Sequence, residues 1–173
     1  LGSCVLFSLV GCFTFINLHL SAEPYHLSSS DLANIYMVYL IGMVITPLST
    51  QIIGRFGAKK TVLMAVSVSM VGVLGTLSTP LWGIVLALAI MSTGVFITQA
   101  ATISYIAKNV TQNRSLASGL YYMGYYTGGT IGATVCGLAY ARGAWGMTVL
   151  TLLAVQVFAL LVASYIMVAR KAS

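Results

Sequence analysis

Apolar residues in this chain fall in long unbroken blocks rather than in alternation. Six such runs cover about residues 1–20, 32–53, 61–77, 81–107, 116–140 and 145–169. Each is close to the ~20 residues a helix needs to cross the hydrocarbon of a bilayer. A segment in hydrocarbon must satisfy its own backbone hydrogen bonds, so each run is expected to be helical. The pattern predicts an all-α integral membrane protein, with residues 1–173 forming a single six-helix transmembrane bundle. Short polar breaks separate the runs. The first holds Glu23, Pro24, His26, three serines and Asp31, with Ser30 or Asp31 expected to cap the second helix. Pro47 is expected to kink that helix, and Pro80 to open the fourth. Residues 54–60 form a basic break whose two glycines, Gly54 and Gly57, allow a tight turn at a helix end.

Composition agrees with the blocks. The chain is 59% apolar and 6% charged, against about 25% charged in soluble domains. A soluble fold of this size cannot bury that much apolar surface. The few charges orient it. Arg55, Lys59 and Lys60 would cost about 8–10 kcal/mol if held at mid-bilayer, so their loop lies in water or among headgroups. The side that carries them also takes Lys108, Arg114, Arg170 and Lys171, and only Arg142 of the eight cations falls opposite, together with both carboxylates, Glu23 and Asp31. Cytoplasmic loops collect Lys and Arg, which predicts cytoplasmic ends on both sides of this segment in a cytoplasmic membrane. A net charge of +6 scattered over loops is not a nucleic-acid footprint. Cys4, Cys12 and Cys136 lie in apolar runs without metal-ligand spacing and are expected as small core residues. The opening run lacks a basic leader and starts at Leu1, so it reads as the middle of a longer chain rather than a signal peptide.

Candidate chemistry is sparse and neutral. Gly124, Gly128 and Gly132 recur every four residues, with Gly129 beside them, a spacing that lets helices approach closely in lipid. Ser118, Tyr121, Tyr122 and Tyr125 share another face of the same run. Phenol groups in mid-membrane need partners or water, so these tyrosines are candidates for lining a cavity, against the alternative of simple packing. Gln99 and Thr102 share a face of the fourth run with Ser92; Asn17 and His19 lie near the outer end of the first; Tyr36 and Tyr39 lie in the outer half of the second. The candidate cavity lining is therefore Asn17, Tyr36, Tyr39, Gln99, Thr102, Tyr121, Tyr122 and Tyr125. No Asp, Glu, Lys or Arg lies within any of the six runs. No phosphate loop, metal-ligand cluster or nucleophile with its base is present, so neither an enzyme nor a cofactor or metal site is expected. Runs one to three and four to six form two triplets that begin on opposite sides of the membrane, which makes them inverted repeats.

Two stretches resemble the major facilitator superfamily. Arg55, Gly57, Lys59 and Lys60 resemble its loop motif Gly-x-x-x-Asp-Arg-x-Gly-Arg/Lys-Arg/Lys, with one extra residue before Lys59, and with Thr50 and Gly54 where the family has Gly and Asp. This weakened form is similar to the second-half copy, between helices eight and nine of twelve. The stretch Arg114-Ser115-Leu116-Ala117-Ser118-Gly119-Leu120-Tyr121, continuing through Tyr125, Tyr126, Gly128, Gly129, Gly132 and Gly137 to Trp145 and Gly146, resembles helix eleven of the drug/proton antiporter and sugar-efflux branch. The resemblance implies the C-terminal six-helix half of a carrier working by alternating access, exporting a small organic molecule in exchange for protons. Its partners would be the lipid bilayer, a small-molecule substrate, and an N-terminal six-helix half or a second copy. Arg114 matches an Arg that in the family often faces the Asp of the first-half loop; that Asp is not in this chain. The third and sixth runs would be the outer, lipid-facing pair, which their composition fits apart from Gln156. Proton coupling would then reside in the other half, since His19 is the one titratable candidate in these runs. An uptake symporter for a sugar or organic anion, and a membrane interaction protein without transport, remain as alternatives.

Overall fold

The computed structural model describes residues 1–169, with side chains through Tyr165. Arg170 and Lys171, counted above on the basic side, lie outside the described residues. All regular secondary structure among the described residues is helical. α1 covers Gly2–Ser21 and α2 Ser29–Ile35; a 3₁₀ segment, Tyr36–Leu40, links α2 to α3 at Ile41–Gly75; α4 covers Leu81–Asn109 and α5 Arg114–Ala169. Four continuous stretches are long and apolar enough to cross a membrane: Gly2–Ser21, Ser29–Gly75, Leu81–Asn109 and Arg114–Tyr165. The protein is a multi-pass membrane protein.

Two of these stretches, at 47 and 52 residues, are more than twice the ~20 residues one crossing needs. Both contain a break in helical backbone. In α3 it is Gly57, at φ 77° and ψ 155°. That region is closed to side-chain-bearing residues by steric clash with Cβ and open to glycine. In α5 the break is Gly143–Ala144, where Ala144 holds φ 49° and ψ −147° despite its methyl group. The basic stretch is thus largely helical, and only Gly57 departs from helical geometry within it.

The cap of α2 corrects the sequence expectation. Ser28, not Ser30 or Asp31, is the cap residue: its hydroxyl accepts from the Asp31 N–H at 3.3 Å, and the Asp31 carboxylate accepts from the Ser28 N–H at 3.3 Å. This reciprocal pairing needs a spacing of three, which Ser28 and Asp31 have. Pro80 precedes α4 as its cap residue, as a proline at the helix start should.

Small residues set how the helices meet. α1 packs chiefly on α5, and α3 on α4. A Cβ at Gly128 would lie 2.1 Å from the Ser3 carbonyl oxygen, one at Gly132 2.8 Å from Phe7 Cα, and one at Gly11 2.5 Å from the Cys136 sulfur. Both sequences advance by four at each contact, so α1 and this part of α5 run parallel. Further along, Phe15 stacks on Tyr140 at 5.7 Å. On the other pair, Gly72 abuts Met91 and Gly94 abuts Ala65 and Ser69, which makes α3 and α4 antiparallel there. Without a hydrophobic drive between helices in lipid, such close backbone approach supplies the dispersion contacts that hold them. The main core gathers Phe13, Ile16, Leu88, Met91 and Leu152 from α1, α4 and α5, and a second cluster joins Ile53, Val62, Ala101 and Ala163.

Candidate functional site

The site candidates fall into two aromatic groups. The first forms around the 3₁₀ segment. With three residues per turn, Tyr36 and Tyr39 eclipse one another, and their rings stack at 5.8 Å and 17°. Phe13 of α1 lies against both, at 5.9 Å and 4.4 Å. One turn further along α1, the Asn17 amide Nδ2 donates to the Tyr36 hydroxyl. Phe96 of α4 meets the Tyr39 ring edge-on at 6.3 Å. The Asn17 carbonyl oxygen Oδ1 is buried and has no protein partner.

The second group is a tyrosine ladder on α5. Helical neighbours at i and i+4 stack in two pairs: Tyr121 on Tyr125 at 6.2 Å, and Tyr122 on Tyr126 at 6.4 Å. The pairs meet edge-on at 5.4 Å through Tyr121–Tyr122 and Tyr125–Tyr126. The Tyr121 hydroxyl donates to Gln99 Oε1 at 3.3 Å, tying the ladder to α4. Tyr121 is seated by Gly2, where a Cβ would come within 2.6 Å of its ring. Tyr36 and Tyr122 are each 41% exposed and Tyr126 is 65% exposed.

Other candidates stand apart. Thr102 is buried and donates to the Thr98 carbonyl at 2.7 Å, so its hydroxyl is turned to its own helix and not to Gln99. With Tyr105, Val62 and the ladder's own Tyr121 it lines a cleft of about 210 Å³. Ser92 is fully buried with its hydroxyl unpartnered by protein, and Ser118 is exposed. Arg55 lies over the ring of its neighbour Phe56 at 5.5 Å, Gly54 and Lys60 are exposed, and Lys59 is half-buried. Arg114 Nε donates to the Val110 carbonyl at 2.9 Å, which holds it at the start of α5. Gly124 accepts at its carbonyl from the Ser3 hydroxyl at 2.8 Å, and Gly129 faces Leu6.

Three participants were not singled out from the sequence as site residues. Phe13 and Phe96 bracket the first group, and Tyr126 completes the ladder. The i, i+4 relation of Tyr126 to Tyr122 was the available signal. At the far end of α1 a third aromatic set forms: His19 stacks on Trp145 at 5.8 Å and meets Tyr25 edge-on at 5.7 Å. Trp145 Nε1 donates to the Thr76 carbonyl at 3.3 Å, and the Tyr25 hydroxyl to the Thr79 carbonyl at 2.7 Å. These bonds tie three chain reversals together at one end.

The two tyrosine groups offer ring faces, hydroxyls and amides, and no charge. Such surfaces bind by stacking and neutral hydrogen bonding. Among the described residues no cluster of three or more His, Cys, Asp or Glu side chains is placed to hold a metal.

Comparison with known proteins identifies the family of the chain. A model of the Major Facilitator Superfamily matches residues 1–173. The chain is 26% identical over 145 residues to an uncharacterized MFS-type transporter, YybF, of Bacillus subtilis (strain 168), covering 84% of this chain and 36% of that protein. It is 23% identical over 145 residues to an uncharacterized transporter of Buchnera aphidicola subsp. Baizongia pistaciae (strain Bp), again covering 84% of this chain and 36% of the relative. A further uncharacterized transporter, of Buchnera aphidicola subsp. Schizaphis graminum (strain Sg), is 26% identical over 145 residues, 84% of this chain and 35% of that one. The chain thus spans about a third of the length of the curated relatives it matches. A match over its whole length places this multi-pass helical chain in the Major Facilitator Superfamily.

Proposed function

We propose that this chain is the C-terminal six-helix half of a secondary active transporter that exports a small organic molecule in exchange for protons. In this reading the stretch Ser29–Gly75 crosses the membrane twice, turning at Gly57, and α5 crosses twice, turning at Gly143–Ala144. Six crossings arranged as two inverted triplets put both ends on the basic, cytoplasmic side of a cytoplasmic membrane. Arg55, Lys59 and Lys60 form the cytoplasmic loop, and Arg114 makes the gating contact to the other half.

The observation that carries the reading is the exposed tyrosine face. Tyr36, Tyr122 and Tyr126 present large open areas next to the paired Asn17 and Gln99 amides. Lipid gives a phenol or amide no hydrogen-bond partner, whereas a hydrated path between two halves does. A neutral aromatic lining suits amphiphilic drugs and sugars. The proton-carrying group belongs to the other half, because an embedded acid or base is the usual device and both carboxylates of this chain, Glu23 and Asp31, lie outside its six apolar runs.

The test is transport by the full-length carrier. Energised cells expressing it should accumulate less of a fluorescent amphiphilic probe than cells lacking it, and a protonophore should abolish the difference. Tyr121→Phe and Gln99→Leu should each lower the export rate at unchanged expression. Accumulation that rises with expression would instead mark uptake. Rates that ignore both substitutions would remove the tyrosine face from the path.

A further inference from the structure

Gln156 is the one amide side chain on the part of α5 that follows Ala144, and the structure buries it inside the bundle. It is 3% exposed, and Nε2 donates to Ser69 Oγ of α3 at 2.9 Å, while Oε1 has no protein partner. Ser8 of α1 is 1% exposed and its hydroxyl is likewise unpartnered. Both residues line one pocket together with Ser69 and with Thr98 of α4. Four polar side chains, one from each of the four long helices, therefore converge on one point inside an apolar protein.

Leaving two buried polar atoms without partners in a membrane interior is costly. The pocket has about 20 Å³ open to the centre of a water-sized sphere, and one water needs roughly 10–15 Å³ by that measure. We propose that this pocket binds a single structural water that ties α1, α3, α4 and the later part of α5 together. The hydrogen-bond directions fit one molecule. The water donates to Gln156 Oε1 and accepts from the Ser8 hydroxyl. Ser69 already accepts from Gln156, so its own proton is directed to the water. Thr98 Oγ1 donates to the Gly94 carbonyl at 2.8 Å and retains lone pairs for the water's second proton. That makes four bonds from four polar partners, within the 2–4 that buried waters make. The knot binds α3 and the later part of α5 to α1 and α4, so the four move as one body.

The sign of one substitution decides the matter. In full-length protein solubilised in detergent, Ser8→Ala removes a partner of the water and should lower Tm by about 2–4 °C. If the pocket is dry, the same change removes a stranded hydroxyl and Tm rises or stays level, which overturns the proposal. Gln156→Leu should also lower Tm, and the two losses should be less than additive because both act on one site. Strict additivity contradicts it. Should Gln156→Leu fail to fold, an experimental density map still decides. A peak within hydrogen-bonding distance of Ser8 Oγ and Gln156 Oε1 supports the water, and a direct Ser8–Gln156 contact removes it.

Discussion

Replacing Gly128 with alanine puts a methyl group where the backbone of α1 already is. The new Cβ would lie 2.1 Å from the Ser3 carbonyl oxygen and 2.4 Å from its Cα. Ordinary contact is ~3.5 Å, so the two helices must part locally by about 1.4 Å. No side chain can swing away to make room, because the obstructing atoms are main chain. Parting also stretches the Ser3-to-Gly124 hydrogen bond, now 2.8 Å. Overpacking of this kind costs up to ~3 kcal/mol, and the better helix propensity of alanine returns at most ~1 kcal/mol. A net loss of about 2 kcal/mol corresponds to a fall in Tm of roughly 4–8 °C, taking 2–4 °C per kcal/mol. Gly119→Ala is the internal control: it lies on the same helix with nothing within 4 Å of its added Cβ. It should leave Tm level or raise it slightly. The assay is thermal unfolding of the full-length carrier in detergent, followed by a tryptophan or size-exclusion signal. If Gly128→Ala is as stable as Gly119→Ala, the parallel α1–α5 contact is not where the structure puts it.

Three further outcomes follow from the breaks and the basic end. Gly57→Ala has open space around it but sits at φ 77° and ψ 155°; it should lose about 1–3 kcal/mol from backbone strain alone, while Gly54→Ala, equally open and helical, should be neutral or stabilising by thermal unfolding. Ala144→Gly should act in the opposite direction, raising Tm by relieving an alanine held at φ 49° and ψ −147°; a lower Tm would mean the turn is not strained. Arg114→Ala should slow export more than it lowers expression, measured by rate per unit of membrane protein, and unchanged rates would exclude a gating contact.

The helical, membrane-spanning character of the chain was legible in the sequence because an apolar run of about twenty residues has few other uses, whereas the six apolar runs fall in four continuous stretches in the structure. The glycine spacing at 124, 128 and 132 and the tyrosine spacing at 121 and 125 were legible for a related reason: helical periodicity puts such residues on one face whatever lies opposite. What lies opposite was not legible. A helix that is apolar all round, as these are, does not reveal which face meets lipid and which meets protein. So the pairing of Asn17 with Tyr36, the seating of Phe7 over Gly132 and the meeting of Ser8, Ser69 and Gln156 all depended on helix rotation and register. The cap of α2 was misplaced because three successive serines compete for the role, and only the reciprocal bond from Asp31 selects Ser28. The breaks were foreseen as polar turns, yet nothing in Gly54 and Gly57 told which glycine would leave the helix.

The reading of this chain rests on whether its tyrosine face meets water. Substituted-cysteine labelling tests that directly. In a full-length carrier with Cys4, Cys12 and Cys136 replaced by alanine, Tyr122→Cys would be compared with Phe158→Cys, a position 59% exposed on an apolar segment. A charged, membrane-impermeant thiol reagent should modify Tyr122→Cys and block export, and leave Phe158→Cys untouched. If neither position reacts with the charged reagent while both react with a lipid-soluble maleimide, the tyrosine face lies against lipid and does not line a transport path.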